Sequence, residues 1–296
     1  MVFYLQGGDL YMKIIVAIDS FKGSLSSLDA GNVVKQGILT VLPDSDVQIY
    51  PLADGGEGMA KTLSDALQAK WITTTVSDPL GRKIQADYGY IEVSHTAIIE
   101  MASAAGLALL SPDEYNPLIT STYGVGELII DALERGARHF IIGIGGSATN
   151  DCGIGMLKAL GYKFLDANDK EIYTGASALS QIIKIQTDNK HPMLEKCTFD
   201  IACDVTNPLY GTQGATYIYG PQKGLPLSML QEVDGWMMSY SSVASKVSGK
   251  DASHFPGTGA AGGMGFAFLN FLNGSLLPGA ELILKRIKYR RRYCIC

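Results

Sequence analysis

Residues 13–53 read KIIVAIDSFKGSLSSLDAGNVVKQGILTVLPDSDVQIYPLA, and this stretch indicates the fold class. The apolar run at 13–18 predicts a buried strand, and the periodic pattern from Ser27 predicts a helix capped by that serine. DVQIYPLA at 46–53 predicts a second strand, and EGMAKTLSDAL begins another helix. Strands that alternate with helices are typical of a parallel sheet covered by helices. The sequence therefore predicts an α/β fold.

The pattern changes from about residue 72. WITTTVSDPLGRKIQADYGYI predicts two strands joined by a turn on Asp78, Pro79 and Gly81. A strand followed by a short helix is predicted for HTAIIEMASAAGL, and a helix ending at Gly136 is predicted for TYGVGELIIDALERGA. Two more buried strands are predicted for RHFIIGI and FDIACDV. FAFLNFLNGSLLPGAELIL predicts a buried helix followed by a loop.

Polar residues lie just beyond the predicted strands, where ligands gather in open α/β sheets. They are Asp19, Asp54, Asn150, Asp151 and Asp204. An acidic residue after a strand is also an ordinary helix cap, so each position has a structural alternative.

Composition narrows the class of function. The chain has 296 residues and a formal net charge of −5, which argues against general nucleic-acid binding through a basic surface. No window reaches the ~18 consecutive apolar residues of a membrane span. The opening MVFYLQGGDLY lacks the features of a signal peptide, and Met12 fits a natural start, which makes residues 1–11 an appendage. Five cysteines without a framework spacing favour a reducing cytoplasm.

Two loops carry candidate anion-binding and acidic groups. In DSFKGSLSS (19–27), Lys22 is a compact cation suited to a phosphate or carboxylate, and the helix start adds backbone N–H donors. In LADGGEG (52–58), Asp54 and Glu57 offer hard oxygen ligands to Mg²⁺ or to a substrate hydroxyl. A solvated lysine, a helix cap and a glycine-dependent turn are the alternative explanations.

A third loop, GGSATNDCGIG (145–155), follows the strand HFIIGI. GIGGSA (143–148) matches the G-x-G-x-x-A form of the dinucleotide fingerprint, with Asp166 about twenty residues further on. Asp151 would repel a pyrophosphate, whereas in a kinase the same carboxylate can hold Mg²⁺ beside a triphosphate. The loop therefore favours phosphoryl transfer, and a nicotinamide-dependent oxidoreductase stays open as an alternative.

Two further segments complete the candidates. In CDVTNPLYG (203–211), Asp204 is placed to accept a hydroxyl proton during phosphate transfer, while Asn207 and Pro208 fix an extended turn. PGTGAAGGMG (256–265) contains a G-x-G-x-x-G without a preceding strand, so a flexible loop at a hinge or over a nucleotide fits equally well. A Walker A loop, the protein-kinase signatures, a G-x-S-x-G elbow and H-E-x-x-H are absent from the sequence.

In order along the chain, these segments resemble the bacterial type I glycerate kinases, or glycerate 2-kinases. The resemblance covers Met12 to about Leu284, on the blocks MKIIVAIDSFKGSLSS, PLADGGEGMAKTL, DPLGRKIQADYG, IIEMASAAGL, TSTYGVGELI, GIGGSATNDCGIGMLKALG, CDVTNPLYGTQGATYIYGPQKG, GTGAAGGMGFA and LLPGAELIL. It implies transfer of the ATP γ-phosphate to D-glycerate with Mg²⁺, and it favours 2-phosphoglycerate over 3-phosphoglycerate as the product.

The resemblance also implies two α/β domains with mostly parallel sheets, the second inserted into the first. Residues 12–72 and 275–296 would form the outer domain, and residues 73–274 the inserted one. From the chemistry of the matched blocks we assign catalysis to Asp204, Lys22 and Asp54, and the metal to Asp151. The predicted substrate- or nucleotide-binding residues are Asp19, Ser20, Ser24, Glu57, Gly145, Gly146, Ser147, Thr149, Asn150 and Asn207.

Beyond PGAELIL the sequence departs from the family pattern and ends in KRIKYRRRYCIC, which resembles the product of a frameshift or a premature stop. The expectation is a C-terminally truncated chain whose outer sheet lacks strands and whose cleft lacks one wall. Besides an active kinase, the sequence leaves open an inactive fragment that still binds nucleotide or glycerate. Glycerate and ATP are the expected partners, without nucleic acid or membrane, and a homodimer is compatible with the sequence.

Overall fold

The computed structural model describes residues 12–18, 21, 24–25, 27–51 and 58–286. Within these ranges the strands are β1 (Lys13–Ile18), β2 (Asp46–Pro51), β3 (Lys70–Ser77), β4 (Lys83–Ile91), β5 (Thr96–Glu100), β6 (His139–Gly143), β7 (Lys163–Leu165), β8 (Lys184–Gln186), β9 (Thr198–Ala202) and β10 (Ser275–Leu277). The α-helices are α1 (Ser27–Val41), α2 (Met59–Leu67), α3 (Ala102–Ala105), α4 (Tyr123–Glu134), α5 (Ile154–Ala159), α6 (Ala215–Tyr219), α7 (Leu230–Ser248), α8 (Ala260–Phe271) and α9 (Gly279–Arg286).

The first two strands form a separate parallel pair with α1 packed against it, as the opening stretch predicts. Gly31 of α1 allows this close packing, because a Cβ there would lie 2.4 Å from Cγ2 of Ile49. The Ser27 hydroxyl, predicted as a cap, donates to the Ile18 carbonyl over 2.6 Å and so links the end of β1 to the start of the helix.

A central sheet among the described residues has the order β10-β9-β6-β5-β4-β3. The pairs from β10 to β5 are parallel, and β4 and β3 extend the sheet by antiparallel pairing. The predicted hairpin between β3 and β4 is confirmed, since the Asp78 carboxylate accepts hydrogen bonds from the backbone N–H groups of Leu80 and Arg82, each at 2.8 Å. Mostly parallel pairing confirms the predicted α/β class.

Helices cover both faces of this sheet. Ile98 and Ile141 point to α2 and α9, while their strand neighbours Ile99 and Ile142 point to the larger core beneath α4, α5, α7 and α8. Burial on both sides explains why these strands are continuous apolar runs in the sequence.

Several elements differ from the sequence prediction. Residues 275–277 and 279–286, predicted as a loop, form β10, which pairs with Asp200–Ala202 of β9, and the helix α9. The long helix α7, the short helix α6 and the short strands β7 and β8 have no counterpart among the predicted elements. The predicted domain boundaries at 72/73 and 274/275 stay a prediction, and the strands at both positions, β3 and β10, belong to the same central sheet.

Within the part of the chain that the structure describes, no helix combines the length and the apolar character that crossing a bilayer requires.

Candidate functional site

The carboxyl ends of the parallel strands meet at one edge of the central sheet. Glu100 of β5 is in register with Gly143 of β6, which is in register with Ala202 of β9, and Leu277 of β10 completes the row. The loops that follow β6 and β9 therefore begin side by side, at the edge where α/β proteins bind ligands.

The loop after β6, residues 144–153, runs along the segment that follows α3. Leu107 donates its backbone N–H to the Gly146 carbonyl, and Ala148 donates to the Ala105 carbonyl, both over 2.9 Å. Gly146 has a φ of 73° and is exposed, whereas Ser147, Thr149 and the residues up to Gly153 are buried. Only this bend of the loop therefore offers its backbone to a ligand from solvent, at a position that lacks a Cβ.

Asp151 lies at the buried end of this loop, with 0% of its surface exposed. Its carboxylate accepts hydrogen bonds from the Thr122 backbone N–H at 3.0 Å and hydroxyl at 2.9 Å, and from the N–H groups of Gly153 at 3.0 Å and Gly155 at 3.3 Å. Burial raises the pKa of this carboxyl, and the hydrogen bonds from Thr122 and the two glycines oppose that shift. The carboxylate therefore fixes the loop and the starts of α4 and α5.

The described residues do not form a Mg²⁺ site of protein side chains alone. Both carboxylate oxygens of Asp151 already accept hydrogen bonds from the protein, and a metal would have to displace those donors. No group of three or more His, Cys, Asp or Glu side chains within the described ranges is arranged to hold a metal ion. The predicted metal role of Asp151 gains no support from this geometry.

Lys223 is a site residue that the sequence prediction missed. It lies in the short turn Pro221–Lys223 and is 2% exposed. Its Nζ donates to the Ser147 hydroxyl over 2.8 Å and to the Thr149 carbonyl over 2.6 Å. Burial lowers the pKa of Lys223 to about 7, although the charge of Asp151 acts in the opposite direction. A lysine between Pro-Gln and Gly has the pattern of a solvated turn, so the sequence contains no signal of its burial.

The GTGAAGG segment supports the same loop from the other side. Ala261, Gly262 and Gly263 all have left-handed backbone conformations. A Cβ on Gly262 would lie 2.1 Å from the Thr149 carbonyl oxygen, and the Gly262 carbonyl accepts from the Cys152 N–H over 2.9 Å. The segment is thus packed beneath the loop. Gly262 and Gly263 are buried, which does not fit the two roles predicted for this segment, a flexible hinge or a loop over a nucleotide.

Asp204 lies two residues after β9 and is exposed. Its Oδ1 accepts a hydrogen bond from the backbone N–H of Gly279, the first residue of α9, over 3.0 Å. The carboxylate therefore lies at the positive end of a helix, where its charge is stabilised. It is also accessible from solvent, so the capping role and the predicted base role are compatible.

Asn207 holds the loop that follows β9. Its Nδ2 donates to the Gln213 carbonyl over 2.8 Å, its Oδ1 accepts from the Tyr219 hydroxyl over 2.6 Å, and its backbone carbonyl accepts from Gly259 over 2.9 Å. The side chain thus shapes the loop that carries Asp204, and its predicted binding role stays a prediction.

Among the other predicted residues, Ser24 is exposed, and its N–H donates to the Phe21 carbonyl over 2.8 Å. Asn150 is buried, and its Nδ2 donates to the Thr216 hydroxyl over 3.1 Å. Five predicted residues lie outside the described ranges, namely Asp19, Ser20, Lys22, Asp54 and Glu57.

The residues that follow the predicted acidic loop at 52–58 lie at the same carboxyl edge of the sheet. Gly58, the first described residue after it, lines an open cleft together with Lys61 and Glu100. The Glu100 carboxylate, at the carboxyl end of β5, accepts from the Ala60 N–H over 2.6 Å at the start of α2. The described end of this loop is therefore fixed at the carboxyl edge.

The dinucleotide fingerprint lacks the structural context that it needs. A fingerprint requires a helix that starts within the glycine loop, whereas α5 begins at Ile154, well after residues 143–148. Asp166, the candidate ribose ligand, accepts from the N–H groups of Asn168 and Lys170 in an exposed turn. The oxidoreductase alternative is therefore not supported.

Comparison with known proteins agrees with this geometry. A sequence model described as the glycerate kinase family matches residues 14–294. The chain is 45% identical over 276 residues to a glycerate kinase of Haemophilus influenzae, covering 93% of this chain and 73% of the relative. It is 44% identical over 272 residues to the glycerate 2-kinase of Escherichia coli, covering 92% and 71%. The crystal structure of a putative glycerate kinase 2 from Salmonella typhimurium superposes with a TM-score of 0.90 at 40% identity, covering 95% of this chain and 75% of that one.

Proposed function

Because the chain belongs to the glycerate kinase family, we propose that it transfers the γ-phosphoryl group of ATP to D-glycerate. The observation that carries the proposal is the family match, which extends from residue 14 to residue 294. The name of the Escherichia coli relative, a glycerate 2-kinase, favours 2-phosphoglycerate over 3-phosphoglycerate as the product.

Asp204 is the proposed base. Phosphoryl transfer depends mainly on positioning and on charge stabilisation, so the base must reach the attacking hydroxyl without a buried pocket of its own. Asp204 is exposed at the carboxyl edge, where a hydroxyl that arrives from solvent can reach its carboxylate. It would accept the proton of the glycerate hydroxyl as that oxygen bonds to phosphorus.

The loop after β6 is the proposed triphosphate site. Support comes from the exposed bend at Gly146, where a phosphate can approach the backbone without meeting a side chain. Residues 147–149 would hold that bend in place, because Ala148 is bonded to Ala105 and its two neighbours are bonded to Lys223. Gly145 and Asn150 would bind the nucleotide beside them.

The other predicted residues, at 19–24 and 54–57, complete the proposed site. Lys22 would supply positive charge to a phosphate or to the glycerate carboxylate, and Asp19, Ser20 and Ser24 would line the same loop. Asp54 and Glu57 would bind the glycerate hydroxyls. We also propose that ATP is used as its magnesium complex, since triphosphate oxygens are hard ligands for Mg²⁺. A cytoplasmic location and a homodimer stay predictions.

Coupled detection of ADP release tests the proposed function. The purified chain, mixed with D-glycerate and Mg-ATP, should release ADP at a rate that depends on glycerate and falls to background with EDTA. Binding of ATP without turnover would instead support the inactive fragment, and tight binding of NAD without binding of ATP would contradict the kinase assignment.

A further inference from the structure

Lys223 is buried in a way that lysines rarely are. A buried ammonium loses its hydration, and lysines are almost never fully buried unless they are paired. Lys223 is 2% exposed, and both of its hydrogen bonds go to neutral oxygens, the Ser147 hydroxyl and the Thr149 carbonyl. The burial of the Lys223 amine at this point therefore lowers the stability of the fold.

Both acceptors belong to the proposed triphosphate loop. They flank Ala148, whose carbonyl accepts from the Thr120 hydroxyl over 2.8 Å and whose N–H donates to the Ala105 carbonyl over 2.9 Å. Three separate segments thus hold three consecutive residues of the loop. Lys223 provides the hydrogen bonds that come from the segment joining α6 and α7.

The chemistry of the amine matches this arrangement. A neutral lysine has two N–H donors, and Lys223 has two acceptors within 2.8 Å. Burial lowers its pKa to about 7, so the neutral form is well populated near physiological pH. A neutral amine can donate both hydrogen bonds without leaving an unpaired charge in the interior.

We propose that Lys223 is a positioning residue of the phosphotransfer site, which fixes the Ser147 hydroxyl and the Thr149 carbonyl so that the bend at Gly146 has one conformation. The residue acts through the loop and does not touch the substrate. The link to ATP rests on the proposed function, whereas the effect on the loop does not.

Hydrogen exchange measured by mass spectrometry on the full chain tests the loop directly. In Lys223→Met, which keeps an unbranched apolar stem but lacks the amine and its donors, we expect amides within 145–150 to exchange at least about tenfold faster than in the wild type. The matched control is Lys250→Met, because Lys250 is exposed and donates to the Asn273 side chain elsewhere on the molecule. Unchanged exchange in Lys223→Met would overturn the proposal.

Steady-state kinetics give a second, independent readout. We expect the KM for ATP to rise about tenfold in Lys223→Met, while the KM for D-glycerate stays within about twofold and Lys250→Met behaves as wild type. An equal rise in the KM for ATP and the KM for D-glycerate would indicate that the whole site is disrupted and would contradict a positioning role. If the wild type shows no turnover but Lys223→Met still loosens the loop, the proposed function fails and the positioning role stands.

A double-mutant cycle covers the case in which Lys223→Met folds poorly. Ser147→Ala removes one of the two acceptors and leaves the amine in place, so loop exchange in this variant should rise. Lys223→Met should then add less than it does in the wild type, because only the hydrogen bond to Thr149 remains to be lost. Normal exchange in Ser147→Ala, or fully additive effects, would show that the two groups do not act together.

Discussion

Asp151 and Asp204 follow neighbouring parallel strands, β6 and β9, yet the fold gives them opposite environments. The Asp151 carboxylate is buried and accepts hydrogen bonds from Thr122, Gly153 and Gly155. Asp204 is exposed and meets the first residue of α9. Burial thus commits the Asp151 carboxylate to the shape of its loop, whereas exposure leaves the Asp204 carboxylate accessible to a ligand.

The same contrast extends to the loops that carry the two acids. The loop after β6 is fixed by Lys223, by Ala105 and by Gly262, so many of its polar atoms already bond to neighbouring segments of the protein. The loop after β9 exposes residues 204–206 to solvent. We infer that the first loop holds a fixed frame and the second presents the reactive group.

The largest expected effect follows from Asp204→Asn. Turnover should fall by about 10²- to 10⁴-fold, because the amide cannot accept the hydroxyl proton. The amide oxygen still accepts from the Gly279 N–H and only the charge at the start of α9 is lost, so the free energy of unfolding should fall by no more than about 1 kcal/mol. Steady-state kinetics and urea denaturation measure the two quantities. Turnover within threefold of wild type would remove Asp204 as the base.

Asp151→Ala should mainly lower the stability of the folded chain. The substitution leaves the buried N–H groups of Thr122, Gly153 and Gly155 without their acceptor, and we expect the free energy of unfolding to fall by about 3 kcal/mol or more. Urea denaturation measures the loss. Asp166→Ala is the control, since Asp166 accepts two backbone hydrogen bonds in an exposed turn and its removal should cost far less. Equal losses in the two variants would contradict the structural role of Asp151.

The buried amine predicts a pH dependence of stability. The folded pKa of Lys223 is about 7, below its unfolded value of ~10.4, so the unfolded chain binds more protons between these values. Stability should therefore rise with pH from about 7 upward, by up to about 1.4 kcal/mol per pH unit, relative to Lys223→Met. Urea denaturation of both proteins from pH 7 to 8.5 measures the difference. A constant difference over that range would show that Lys223 is charged in the folded protein.

The smallest expected effect concerns the exposed bend. Gly146→Ala places a Cβ on a residue with a φ of 73°, where it would lie 3.4 Å from the Ala102 Cβ, so only backbone strain of about 1 kcal/mol is expected. Gly37→Ala, at an exposed position inside α1 with nothing nearby, should instead stabilise the chain by about 0.5–1 kcal/mol. Thermal denaturation compares the two. Equal shifts would show that the bend is not constrained.

Much of the fold follows from local patterns. Buried strands such as 139–143 are apolar runs, and the turn at Asp78 and Gly81 has the residues that its hydrogen bonds and its positive φ require. Strand β10 could not be predicted, because three residues are too few to show a period and its pairing with β9 is a tertiary contact.

The candidate site was predictable to a smaller extent. The sequence indicates which loops follow the parallel strands, and the structure shows that those loops meet at one edge. The sequence does not indicate how deeply a residue is buried, so both acids were assigned to the reaction, Asp151 as a metal ligand and Asp204 as the base. Lys223 was missed for the same reason, since its burial depends on partners more than seventy residues away in the chain, at 76 and 74 positions.

A ³¹P NMR spectrum of the products is the most direct test of the central claim, that this chain phosphorylates glycerate with Asp204 as the exposed base. Incubation of the wild-type chain with D-glycerate and Mg-ATP should give a phosphomonoester resonance of phosphoglycerate, matching the 2-phospho isomer, and the Asp204→Asn chain should give only a trace. A spectrum with ATP intact in both samples, or with equal product in both, would contradict the account.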